Sequence, residues 1–109
     1  MTEIKDKPLA NRVAFVSGAG NGIGRATALL LASRGAIVGV NDLKPEFVAA
    51  TVDAIKAAGG SAVAVIQDVS TRDGMRAAVL GLAEQQGRLD ILVNNAAWVR
   101  YQSVPDIAP

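Results

Sequence analysis

The sequence predicts an α/β fold: a parallel four-stranded sheet in spatial order 3-2-1-4 with helices packed on it. Three observations predict it. Four short β runs, Val13 to Ser17, Ile37 to Val40, Ala62 to Ile66 and Leu89 to Val93, follow one another, and the first is apolar without alternation, the pattern of a parallel strand covered on both faces. Between them lie stretches in which apolar residues recur at helical spacing. Glycine, proline or a polar cluster marks nearly every change from one pattern to the other. Strands alternating with helices over short links call for right-handed crossovers and a parallel sheet, most simply in the order given.

Taken along the chain, residues 1–11 are a polar lead-in, expected to be loose until Arg12, and residues 12–109 form the domain. The first strand runs into Ser17-Gly18-Ala19-Gly20-Asn21-Gly22-Ile23-Gly24. A strand that must stop, turn and feed a helix needs positive φ and close backbone approach, which glycine supplies at low steric cost. In the helix that follows, Ile23, Ala26 or Thr27, Leu30 and Leu31 are predicted to form the apolar face, with Arg25 and Arg34 at its rim and Gly35 at its end. The second strand leads to Asn41-Asp42. Pro45 then suits the first position of a helix whose Val48, Val52 and Ile55 make a stripe ending at Gly59-Gly60. The third strand ends at Gln67-Asp68-Val69. Ser70 and Asp73 read as the capping box of a helix carrying Met75, Val79 and Leu82, weakened by Gly74 and Gly81 and closed by Gly87. The fourth strand runs into Asn94-Asn95-Ala96-Ala97, and Trp98 to Pro109 reads as loop.

Composition narrows the functions. The 109 residues, 50% hydrophobic and 19% charged, suit one small globular domain. With 11 basic and 10 acidic side chains the net charge is +1, so no global field draws the chain to nucleic acid or to an acidic membrane surface. Cysteine and histidine are both absent, which excludes disulfides, thiolate nucleophiles, Ser-His-Asp chemistry and histidine or thiolate metal sites. No apolar run reaches the length of a membrane span, and Thr2 to Lys7 lacks the apolar core of a signal peptide. The expected location is the cytoplasm.

The glycine-rich stretch carries the functional argument. A helix starting there leaves free N–H groups and a positive dipole end above the first strand, where the natural occupant is an anion such as a pyrophosphate. A G-x-G-x-x-G reading would need glycines at 18, 20 and 23 or at 20, 22 and 25, and Ile23 and Arg25 break both. A P-loop would need a lysine that is absent between Lys7 and Lys44. The spacing that fits is G-x-x-x-G-x-G on Gly18, Gly22 and Gly24, with Ser17 in front. In a sheet of this order the ligand lies beyond the carboxyl ends of the strands, where strand order reverses. Asp42, 18 residues beyond Gly24, stands near the spacing at which an acid meets a ribose 2′-hydroxyl. Its carboxylate would accept hydrogen bonds from the ribose and repel a 2′-phosphate; the alternative role is to help cap the following helix.

With serine for threonine, Ser17 to Gly24 resembles the T-G-x-x-x-G-x-G fingerprint of the short-chain dehydrogenase/reductase family, and Asn94-Asn95-Ala96-Ala97 resembles its N-N-A-G, with Ala97 departing where the family has glycine. The resemblance covers Val13 to Ala97 and implies a Rossmann-like fold that binds a nicotinamide dinucleotide. It implies Gly18, Asn21, Gly22, Ile23, Gly24, Asp42, Leu43, Asp68, Val69, Asn95, Ala96 and Ala97 as cofactor-binding residues. Asp68 and Val69 would lie at the adenine ring and Asn95 to Ala97 beside the nicotinamide-side ribose, although Asp68 also reads as a strand-end aspartate in a solvated turn. Asp42 favours NAD, with NADP the lesser partner, and Lys44 softens that preference.

The family's catalysis uses a tyrosine, a lysine one helical turn on that favours the phenolate, and a serine that orients the substrate. Here Tyr101 is followed at the fourth place by Pro105, and no lysine occurs after Lys56. Ser103 does not match the family's serine, so no catalytic residue is assigned and the chain alone is expected to be inactive. Ile91-Leu92-Val93 would be an open edge strand, a surface for self-association. The expectation is the N-terminal cofactor-binding part of a longer oxidoreductase. A stand-alone nucleotide-binding module and a non-functional fragment remain as alternatives, whereas a methyltransferase reading leaves Asn94-Asn95-Ala96 unexplained.

Overall fold

The computed structural model describes residues 7–95; Ala96, Ala97, Trp98, Arg100, Tyr101, Ser103, Pro105 and Asp106 lie outside the described residues. Strand β1 (Val13–Val16) is buried along its whole length, the burial that its unbroken apolar run requires. It pairs in parallel with β2 (Ile37–Asp42) on one side and β4 (Ile91–Val93) on the other, and β2 pairs in parallel with β3 (Ser61–Ile66). The sheet order is β3-β2-β1-β4, the order expected from the alternation. Helices α1 (Gly22–Ser33), α2 (Pro45–Ala57) and α3 (Arg72–Gln86) connect the strands.

Because successive strand residues point to opposite faces, β1 feeds two cores. Ala14 and Val16 join Val38 and Val40 under Ala28, Ala32, Val48, Val52 and Ile55 of α1 and α2. Val13 and Phe15 pack with Ala78 and Leu82 of α3. Burying a side chain such as Phe15 contributes about 1.5–3 kcal/mol, so the center of the sheet is where the stability concentrates. The second side of β4 pairs with no strand among the described residues, and Leu92 is 55% exposed. No helix among the described residues is long and apolar enough to cross a membrane.

Three local expectations are corrected. The buried face of α1 is Gly24, Ala28 and Ala32, while Ile23 is 76% and Leu30 53% exposed. Small residues let the helix axis settle close to the sheet; of the expected face Leu31 does pack against the core, partly buried beside Leu29, while Ile23 and Leu30 stay outside. The N-cap of α3 is Thr71, not Ser70: its Oγ1 accepts from the Gly74 N–H at 2.9 Å. Gly74 is required rather than merely tolerated, because a Cβ there would run into the Asp68 carbonyl oxygen. The described end of the lead-in, residues 7–11, is tied down before Arg12: the Leu9 N–H donates to the Arg34 carbonyl at 2.8 Å and Leu9 packs against the α1/α2 core.

At the opposite end of the sheet from the glycines, Asp90 joins β4 to β1. Its Oδ2 accepts from the Val13 N–H at 2.8 Å and from Arg88 Nε at 2.9 Å, and its Oδ1 accepts from Arg88 Nη2 at 2.8 Å. Arg88 holds the carboxyl down most strongly, then the Val13 amide, with Arg12 adding charge, and the pKa falls to about 2. A carboxyl whose folded pKa lies below its unfolded value gives stability that is full above the unfolded value and is lost as pH falls through the folded one. Wild type should therefore lead Asp90→Asn in urea midpoint above about pH 4, with the lead vanishing toward about pH 2. A lead independent of pH across that window would show that ionised Asp90 does not staple the strands.

Candidate functional site: the cleft above the strand ends

Where β1 ends, the backbone must leave the sheet and reverse into α1. Gly18 (φ 62°) and Gly22 (φ 59°) take the left-handed conformations this requires. Gly24 serves differently: it lies against the Gly18 carbonyl, and a Cβ there would strike that oxygen and come 2.7 Å from Asn95 Nδ2. The turn and the end of β4 are thus pressed together at the point where strand order reverses. Ser17, fully buried, joins them further: its Oγ accepts from the Asn95 N–H at 2.8 Å and lies 3.0 Å from Asn94 Oδ1 as donor, while its own N–H donates to the Val93 carbonyl at 3.0 Å.

The first turn of α1 has no acidic side chain. Its N-cap, Asn21, is extended and makes no side-chain capping bond. The amides that open α1 are therefore left by the side chains to whatever lies above them, and the space over Gly22 is open, with nothing within 4 Å of where a Cβ would stand.

Asp42 ends β2 on the same rim. Its Oδ2 accepts from the Gly20 N–H at 2.9 Å and its Oδ1 from the Leu43 N–H at 2.8 Å. Helix α2 takes Lys44 as its N-cap, with no side-chain capping bond, so the capping role for Asp42 does not hold. An ionised carboxylate has roughly four acceptor positions, which leaves Asp42 capacity for a further donor. Lys44 Nζ sits 5.3 Å from the centroid of the Phe47 ring, in cation–π range. Asp68, exposed beyond β3, accepts the Ser70 N–H on Oδ1 at 2.9 Å. The Ser70 hydroxyl first, and its amide second, hold the Asp68 carboxyl below its ordinary value.

These strand ends enclose an open cleft of about 860 Å³, within the size of cofactor sites. Among the expected residues Gly18, Asn21, Gly22, Ile23, Asp42, Leu43, Asp68, Val69 and Asn95 line it. Gly24 is buried behind the turn, and Ala96 and Ala97 lie outside the described residues. Asn41, Lys44, Phe47, Gln67, Ser70 and Asn94 line it as well. Ser17 and Gly20 shape it from behind, as does Thr51 of α2, whose Oγ1 donates to the Ala19 carbonyl at 3.0 Å. Strand-end position pointed toward Asn41 and Asn94; no local signal marked Thr51. The cleft thus presents open amides at the start of α1, a carboxylate acceptor on Asp42 at one side, and apolar Leu43 and Val69 along its wall.

The model of the short chain dehydrogenase family matches residues 12–109. The chain is 41% identical over 98 residues to the short-chain dehydrogenase/reductase homolog YusS of Bacillus subtilis, covering 89% of this chain and 90% of that protein. It is 43% identical over 96 residues to the (2S)-[(R)-hydroxy(phenyl)methyl]succinyl-CoA dehydrogenase subunit BbsD of Thauera aromatica, covering 84% of this chain and 37% of that one. Among solved structures it is similar to a short chain dehydrogenase from Mycobacterium avium, with a TM-score of 0.78 at 40% identity, covering 90% of this chain and 38% of that one. The chain therefore spans nearly the whole of the Bacillus relative but well under half of the Thauera and Mycobacterium proteins. With the glycine turn, the strand order and the cleft already in place, the match over almost its whole length settles the kinship: this chain belongs to the short-chain dehydrogenase family.

Proposed function

We propose that the chain holds NAD, in preference to NADP, across the carboxyl ends of its four strands, as the cofactor-binding part of an oxidoreductase of this family. The observation that carries the proposal is the uncapped start of α1 beneath open space at Gly22, with the Asp42 carboxylate on the same rim. The amides of Gly22, Ile23 and Gly24 take the pyrophosphate, Asp42 takes the adenosine ribose, Leu43 and Val69 flank the adenine with Asp68 beside it, and Asn95 stands toward the nicotinamide half. When bound, the nicotinamide ring supplies the hydride acceptor or donor for an alcohol or carbonyl. The side chains described here bind and orient the cofactor, and none is assigned to proton transfer. The domain responsible spans residues 12–109.

The preference for NAD follows from charge. A 2′-phosphate placed beside Asp42 would set like charges together at close range, which Lys44, two residues on, offsets only in part. Titrating the protein into NADH should give a saturable rise in nicotinamide fluorescence, abolished by Gly22→Val, which fills the open space and forces a β-branched residue into positive φ. A linear, unsaturable response in wild type would end the proposal.

A further inference from the structure

We propose that Thr51, outside the cleft, is a positioning residue for the glycine turn, so that affinity for the pyrophosphate part of a ligand is set partly from the core of α2. This deepens the nucleotide reading above and rests on it.

Thr51 is fully buried. A helical threonine can return its hydroxyl proton to its own preceding turn, as Thr27 of α1 does to the Ile23 carbonyl. Thr51 donates to another element: Oγ1 lies 3.0 Å from the Ala19 carbonyl oxygen and 3.4 Å from that of Gly20. One proton serves both, so the bond is shared between adjacent carbonyls. The N–H groups of the same two residues are held by the end of β2, Ala19 to the Asn41 carbonyl at 2.8 Å and Gly20 to Asp42 Oδ2 at 2.9 Å. Gly20 packs closely against the end of β2 and the start of α2, since a Cβ there would stand 2.6 Å from Asp42 Oδ2 and 2.6 Å from Phe47 Cβ. The dipeptide is thus clamped through its amides by β2 and through its carbonyls by α2. Asn21 to Gly24 follow it directly in the chain and inherit its position.

Helix α2 is itself fixed, with Val48, Val52 and Ile55 buried on either side of Thr51 along the chain. Amides that must meet an anion gain from being held in place before it arrives, and Thr51 supplies that hold while not lining the cleft itself. Thr51→Val keeps the shape and removes the proton; Thr51→Ser keeps the proton and removes the methyl group.

The test compares NADH with adenosine, which shares the base and ribose but lacks the pyrophosphate, using the full chain and NMR or fluorescence titration. Thr51→Val should bind NADH about tenfold more weakly, Thr51→Ser should stay within about twofold of wild type, and adenosine should bind all three alike. Equal NADH affinity in wild type and Thr51→Val overturns the inference, as does a parallel loss for adenosine or a failure of serine to restore binding. Should Thr51→Val not fold, Thr51→Ala takes its place in the same series. Wild type that binds NADH with Thr51→Val unchanged defeats this inference alone; wild type that binds no NADH defeats the nucleotide reading and this with it.

Discussion

Gly24→Ala is expected to lose stability and NADH binding together, and to be the most damaging small substitution in the turn. A single methyl group would enter the Gly18 carbonyl, with Asn95 Nδ2 only 2.7 Å away on another side. The first obstacle is backbone, which has no rotamer to swing aside, so α1 must lift away from β1 and carry its opening amides with it. Overpacking of this kind costs about 3 kcal/mol, a large part of a small domain's margin. Gly81→Ala is the control: it lies in α3 with nothing within 4 Å of the added methyl, and should stabilise by about 0.5–1 kcal/mol through helix propensity. Urea midpoints and NADH titration measure both. A Gly24→Ala protein as stable as wild type would mean that the helix does not start against Gly18 as described.

The second large effect is expected at Asp42, in the choice between cofactors. Asp42→Ala should weaken NAD by about 10- to 100-fold, the worth of one charge-assisted hydrogen bond, and should weaken NADP less, because a repulsion disappears along with the acceptor. Part of the loss will be common to both cofactors, since the same carboxylate holds the Gly20 N–H at 2.9 Å. Asp42→Asn separates the two effects: its carbonyl oxygen retains an acceptor for Gly20 while the charge is gone. The ratio of NAD to NADP dissociation constants, by competition against NADH, should move in the same direction in both variants. A ratio fixed across wild type, alanine and asparagine would take Asp42 out of the ribose site.

Much of this architecture could be read directly from residue order. Four short β runs separated by helical stripes were enough for the parallel sheet and its order, although burial on both faces holds only for β1 and the middle of β2, while β3 and β4 have no fully buried residue. The positive φ at Gly18 and Gly22 was legible for the same local reason, a turn that other residues resist. Helix faces were less legible. Ile23 and Leu30 have the right spacing for a core face, yet α1 buries Gly24, Ala28 and Ala32 instead. Periodicity records where apolar residues recur; it does not record how near the sheet a helix must lie. Gly74 teaches the same point, since helix propensity counts it as a weakness while contact with the Asp68 carbonyl makes it a necessity.

The sequence by itself determined the elements, their parallel arrangement and the rim on which a glycine turn and a strand-end carboxylate meet, because those depend on local conformation and on patterns a few residues long. Only the tertiary structure decided how that rim is held. Ser17 meets Asn94 and Asn95 from 77 and 78 residues away, and Thr51 reaches Ala19 across 32. A buried hydroxyl takes its partner from whatever the packing of other elements brings within about 3 Å, and no local pattern specifies that neighbor.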